Sequence, residues 1–71
     1  MNDLYKLMII IGAKENRRAH FQDYPMTQQG LHKAEAMFLD AITRDYVLGV
    51  RLFRLDRKGM HELKRYDRKG G

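Results

Sequence analysis

The alternation of apolar and polar side chains predicts a strand pair at the start of the chain. Residues 4–11 are almost continuously apolar and rich in Ile and Leu, which is typical of a strand that Gly12 would end. Both alternating sets in this segment are apolar, so we expect a central strand of a sheet. Residues 19–24 are predicted to form the second strand of a hairpin. Pro25 ends it, because proline cannot donate to a ladder.

The middle of the chain has the period of an amphipathic helix. Thr27 is a suitable N-cap, and Met26 is placed to pack on Leu31 as a hydrophobic staple. Polar residues occupy the opposite side of the helix, so we expect the helix to lie on the sheet. The apolar stripe recurs at spacings of three and four and consists of Leu31, Ala34, Phe38, Ala41 and Ile42.

The last third of the chain predicts a second hairpin. Residues 46–55 are β-branched and aromatic, and residues 60–66 form the return strand. Between them, Asp56-Arg57-Lys58-Gly59 has turn chemistry, with Asp to bond the backbone and Gly to supply a positive φ. The predicted fold class is therefore α+β, in the order ββαββ, with an antiparallel four-stranded sheet and one helix packed on one face. We expect residues 1–66 to form a single domain and residues 67–71 a flexible basic tail.

A single helix leaves the other face of the predicted sheet without cover. Met8 and Ile10 belong to that face, together with residues of the second hairpin. Bare apolar area in a small domain is often an interface, so one interpretation is a homodimer or a protein partner. The other interpretation is that single exposed apolar residues are ordinary.

The positive charge is concentrated near the carboxyl terminus. The net charge of the chain is +5, and residues 51–71 hold eight basic and three acidic residues, whereas residues 1–50 hold six of each. Six residues of the segment 52–59 recur eleven positions later. Such an uneven charge indicates an anionic partner, either nucleic acid or an acidic protein surface.

The predicted function is therefore binding of nucleic acid by the basic C-terminal hairpin. Neutralised phosphates release counterions, arginine binds phosphate with two parallel bonds, and tyrosine can stack on an unpaired base. The candidates are Arg51, Arg54, Arg57, Lys58, Arg65, Tyr66, Arg68 and Lys69. A ribbon can also enter a major groove, so DNA and RNA stay open. The alternative is that these cations only solvate an edge strand and prevent aggregation.

The residue types argue against enzymatic chemistry. The chain has no serine and no cysteine, and its glycines form no phosphate-binding loop. His20, His32 and His61 lie on different predicted elements and lack the spacing of metal ligands on a helix. We expect no enzyme, no cofactor and no metal site. The longest apolar run, residues 7–11, is too short to cross a membrane, and we expect a cytoplasmic protein.

In size and element order, the segment from Tyr5 to Tyr66 resembles small phage-encoded proteins that bind and disable host machinery. These include inhibitors of RNA polymerase and some anti-CRISPR proteins. The resemblance includes no motif and assigns no residue roles. It implies an alternative function, an adaptor or inhibitor that docks on a larger host protein complex. The basic charge argues against an acidic nucleic-acid mimic and leaves direct docking.

Overall fold

A computed structural model describes residues 3–13 and 15–68 and confirms the predicted fold class. Two hairpins flank one helix, and their strands form a single antiparallel sheet in the order β2-β1-β3-β4. Helix α1 packs on one face of this sheet, which gives the predicted ββαββ order. The elements are β1 (Leu4–Ala13), β2 (Asn16–Pro25), α1 (Gln28–Ile42), β3 (Val47–Asp56) and β4 (Gly59–Asp67).

The first hairpin is longer than predicted. Gly12 does not end β1 but stays in the ladder opposite Arg17, with a φ of 112° that favours glycine. Ala13 pairs with Asn16, so β2 begins at Asn16, three residues before the predicted start at residue 19. β2 is an edge strand, and an edge strand can remain almost wholly exposed and polar. Pro25 is its last residue, where a missing N–H costs no ladder bond.

Helix α1 begins as the sequence indicates. Thr27 Oγ1 accepts a hydrogen bond from the Gly30 backbone N–H at 2.9 Å, which is the predicted N-cap. The helix starts very close to the end of β2, since a Cβ on Gly30 would overlap the Pro25 carbonyl oxygen and lie 2.9 Å from its carbon. At its other end the chain turns into β3, where Val47 N–H donates to the Arg44 carbonyl at 3.1 Å. The helix therefore starts beside β2 and ends beside β3.

The core is one layer of side chains between α1 and the sheet. Leu7 on β1 and Leu52 on β3 are opposite one another and fully buried, and the α1 stripe packs on them. Seven apolar residues of the described chain are buried: Leu7, Ala34, Phe38, Ala41, Val47, Val50 and Leu52. A core of this size, without disulfides, gives a small domain little stability to spare.

The described part of the predicted tail is attached to the sheet. Asp67 is the last residue of β4, and Arg68 N–H donates to the Leu48 carbonyl at 2.9 Å. Lys69 and the two glycines after it lie outside the described residues. In the described part of the chain, no helix is both long enough and apolar enough to cross a bilayer.

Candidate interaction surfaces

The cations of the β3–β4 hairpin lie on two faces and at two ends of the sheet. Side chains alternate along β3, so Arg51 lies on the face away from α1, and Arg54 shares the face of buried Leu52. Arg57 and Lys58 form the turn at one end of the hairpin, and Arg68 follows its other end. One phosphate backbone therefore cannot meet all of these residues at once.

Arg51 is neutralised within the protein. Its Nη2 lies 2.6 Å from Asp67 Oδ1 and its Nε lies 3.6 Å from Glu62 Oε1. Its Nη1 donates to the carbonyl oxygens of Tyr66 and Val50 at 3.0 and 3.1 Å. The side chain is only 14% exposed, so this guanidinium is a structural cross-link between β3 and β4.

Two further arginines of the hairpin have carboxylate partners but remain accessible. Arg65 Nε lies 3.1 Å from Glu62 Oε1, and Arg54 Nη2 lies 3.3 Å from Asp56 Oδ2. Their side chains are 60% and 46% exposed. Exposed pairs of this kind contribute little to stability, about 0 to 1 kcal/mol, but each offsets the local positive charge.

Asp56 is held in its charged form at the start of the hairpin turn. Its pKa is lowered, chiefly because the Lys58 backbone N–H donates to Oδ1 at 2.8 Å. His61 Nε2, 3.2 Å from the same oxygen, and the charge of Arg54 act in the same direction. The carboxylate therefore serves the turn and offsets part of the positive charge that surrounds it.

Tyr66 and Arg68 have structural contacts that the sequence did not indicate. Tyr66 is half-buried against the core on the face of α1. Arg68 Nε donates to the Val47 carbonyl at 2.8 Å, and its Nη2 donates to the carbonyls of Arg44 and Ile42 at 2.6 and 3.5 Å. The last turn of α1 has no basic residue of its own, so a guanidinium from the end of β4 satisfies carbonyls at the helix end.

Two of the candidate cations are exposed at the hairpin turn. Arg57 and Lys58 form no ion pair with any carboxylate of residues 3–13 and 15–68. Lys69 lies outside the described residues. Arg17 and Arg18, which the sequence pattern did not single out, are likewise exposed at the opposite end of the sheet, near the β1–β2 turn. The exposed positive charge is therefore dispersed over the described molecule.

The face of the sheet opposite α1 carries a group of apolar side chains, which we call the apolar band. It crosses the sheet diagonally from β2 to the start of β4, because Met8 pairs with Phe21 on one side and Leu55 pairs with Met60 on the other. Phe21 is 56% exposed and Met60 is 59% exposed. The band consists of Leu4, Met8, Ile10, Ala19, Phe21, Phe53, Leu55 and Met60.

Charged side chains lie on both sides of the apolar band, and most of them are paired. On the β2 side, Lys6 Nζ lies 2.8 Å from Asp23 Oδ1 and 5.6 Å from the centre of the Phe21 ring. On the β4 side are the ion pairs of Arg51 and Arg65. The face has four cations, Lys6, Arg17, Arg51 and Arg65, and three acids, Asp23, Glu62 and Asp67, so its net charge is +1. Lys6 and Arg51 are on the central strands, where Lys6 is opposite Phe53 and Arg51 is opposite Met8, so two paired charges lie among the residues of the apolar band.

A groove of about 470 Å³ lies on the other side of the sheet, between the second half of α1 and the first hairpin. Ile9, Ile11 and Met37 form its apolar part, and His20 and Arg44 are among its polar lining residues. It exists because α1 ends beside β3 and leaves this part of β1 and β2 uncovered.

Comparison of the chain with family models, curated proteins and solved structures finds no match. We therefore infer function from the geometry of these surfaces.

Proposed function

We propose that the protein is a non-enzymatic binding protein that contacts another protein through the uncovered face of its sheet. The apolar band carries this proposal, because Phe21 and Met60, at its two ends on the same face of the sheet, hold more than half of their surface in water. Removal of such a patch from water is favourable, and patches of this kind mark interaction sites.

The charges around the band favour a protein over a polyanion. A phosphate backbone needs cations that are available to replace its counterions. Here Lys6 and Arg51 already have carboxylate partners, and Arg51 also binds two backbone carbonyls. A polyanion would have to break these contacts, whereas an apolar partner can cover the paired groups without separating them.

Nucleic acid bound by the β3–β4 hairpin is the second candidate function. Residues 51–68 hold seven basic and three acidic residues, so the hairpin has a net charge of +4. Arg57 and Lys58 are exposed at the turn, and Arg65 has an exposed partner, Glu62, which a phosphate can replace at small cost. Arg54 is itself 46% exposed, although its partner Asp56 is only 20% exposed. The same cations would suit an acidic protein surface. For both candidate functions we propose a cytoplasmic location, and the absence of cysteine is compatible with it.

A pull-down of the tagged full chain from a native extract, with and without nuclease, separates the two candidates. One variant changes the face, Phe21→Gln with Met60→Gln, and another changes the turn, Arg57→Ala with Lys58→Ala. Leu39→Gln is the matched control for the face, because Leu39 is 58% exposed on α1, away from the apolar band.

The proposed function requires a protein that is recovered after nuclease treatment, lost with the face variant, and retained with the turn variant and the Leu39→Gln control. Recovery that is lost with nuclease and with the turn variant would instead establish the nucleic-acid candidate.

A further inference from the structure

We infer that the partner at the uncovered face is a second copy of this chain, packed face to face so that two four-stranded sheets form a sandwich with both helices outside. This inference rests on the proposed function, since it names the protein that the same face binds. Three observations support it: the charge balance of the face, its size, and the thin core of the single chain.

The charge balance suits a copy of the same surface. All three carboxylates on this face, Asp23, Glu62 and Asp67, are paired with cations of the same face. A strongly acidic or basic partner would need accessible charges of the opposite sign, and this face offers a net charge of only +1. Two such faces repel each other weakly. Lys6 and Arg51 lie within the face, but both are already paired with carboxylates of the same chain, so a second copy can cover them without leaving an unpaired charge.

The size of the face suits a stable pair. Strands β1, β2 and β3 are ten residues long and β4 is nine. At about 3.3 Å per residue and about 4.8 Å per strand, the sheet has a footprint of roughly 600 Å². Two such faces would bury about 1,200 Å² in total, which reaches the lower end of specific interfaces.

The single chain has a core on one side of its sheet only. β1 is a central strand with apolar residues on both faces, and α1 covers only the set that includes Leu7. A second sheet packed about 10 Å away would bury Met8, Ile10 and Phe53 as α1 buries Leu7. Oligomerisation is one of the ways in which small domains without disulfides or metals gain stability.

Sedimentation equilibrium of the purified, nuclease-treated full chain tests this inference. The wild type should have twice the chain mass of 8.4 kDa at micromolar concentration. Phe21→Gln with Met60→Gln should weaken the dimer by about ten-thousandfold, since four exposed apolar side chains change in each dimer and each contributes roughly tenfold. Leu39→Gln should leave the dimer unchanged. Circular dichroism establishes that each variant is folded.

A second variant of the face tests the inference if the first variant is unfolded. Ala19→Lys adds a cation to the band at an exposed position outside the core and raises the net charge of each face from +1 to +2, so it should dissociate the dimer without loss of the fold. A wild type that stays monomeric overturns the inference. A dimer that none of the face variants weakens also overturns it, because pairing then occurs elsewhere, for example at the β2 edge.

The docking face and the identity of its partner can be refuted separately. If the wild type is monomeric but the face variant still loses a protein in the pull-down, the second copy is wrong and the docking face stands. If neither experiment responds to the face variants, both are wrong.

Discussion

Replacement of Glu62 by glutamine tests whether intramolecular pairing limits the attraction of the hairpin for polyanions. Glu62 Oε1 lies 3.1 Å from Arg65 Nε and 3.6 Å from Arg51 Nε. Glu62→Gln keeps the size of the side chain and removes its charge. Arg65 is 60% exposed and can turn toward a phosphate, whereas Arg51 is 14% exposed and remains bound to Asp67. One additional cation should therefore become available.

The expected gain follows from counterion release. One more neutralised phosphate of duplex DNA raises the slope of log affinity against log salt by about 0.9. At about 0.1 M salt this corresponds to a roughly eightfold tighter association. The free energy of unfolding should change by less than about 1 kcal/mol, because the broken pair between Glu62 and Arg65 is exposed.

Fluorescence anisotropy of a labelled duplex, measured over a series of salt concentrations, gives both the affinity and the slope. Glu15→Gln is the control, since it changes the net charge equally, but Glu15 lies at the β1–β2 turn and forms no ion pair with another described residue. A gain of the same size in both variants would show that net charge alone matters. No gain with Glu62→Gln would refute the idea that pairing limits the attraction.

Three further predictions concern stability. Gly30→Ala should lower the free energy of unfolding, measured by urea denaturation, by about 2 kcal/mol, because the added Cβ would overlap the Pro25 carbonyl. This loss is expected although alanine favours helices over glycine by about 1 kcal/mol. An unchanged or higher stability would contradict the close approach of the helix to Pro25. Arg68→Lys should cost about 2 kcal/mol in the same assay, because the donors of an ammonium share one nitrogen and cannot replace both Nε and Nη2 of the guanidinium. A neutral result would contradict this contact. The pKa of Asp56 is lowered in the folded state, so its ionised carboxylate stabilises the fold at neutral pH, and this stabilisation is lost as the pH falls below about 4. Thermal melting of Asp56→Asn should therefore show a weaker loss of stability in acid than the wild type, and equal acid sensitivity would exclude this role.

The fold was predictable because its determinants are local in the sequence. A threonine before an apolar stripe at helical spacing indicated where α1 begins, and Thr27 caps it. Aspartate and glycine around a basic dipeptide indicated the second hairpin turn, and Asp56 pairs with Gly59 across it. Each of these signals needs only a few neighbouring residues. The extent of β2 was missed because an edge strand of polar residues has no apolar alternation.

The candidate site was less predictable, because it depends on the register between strands. The linear sequence groups the cations of the hairpin together, but cross-strand pairing brings Asp67 to Arg51 from 16 positions away. The contact of Arg68 with the end of α1 joins residues that are 21 to 26 positions apart. No local pattern reports contacts over such separations. The open face was foreseen from Met8 and Ile10, but the ion pairs on that face were not.

A single irregularity in β4 determines which charges meet on the open face. The register shifts where Leu52 pairs with Lys64 and Phe53 pairs with Glu62, so Leu63 has no partner of its own. Because side chains alternate, this extra residue exchanges the two faces of every later position. Arg65 and Asp67 consequently join Arg51 on the open face, and Lys64 turns toward α1, where its Nζ lies 3.2 Å from Glu35 Oε2.

Without this bulge, Lys64 would lie beside Arg51, and Asp67 would lie on the other face. The open face would then hold the cations Lys6, Arg17, Arg51 and Lys64 against only Asp23 and Glu62, so its net charge would be +2 and it would suit phosphate better. The bulge therefore gives Arg51 a second carboxylate partner, Asp67, and lowers the net charge of the open face from +2 to +1, which favours a protein over a polyanion at that surface.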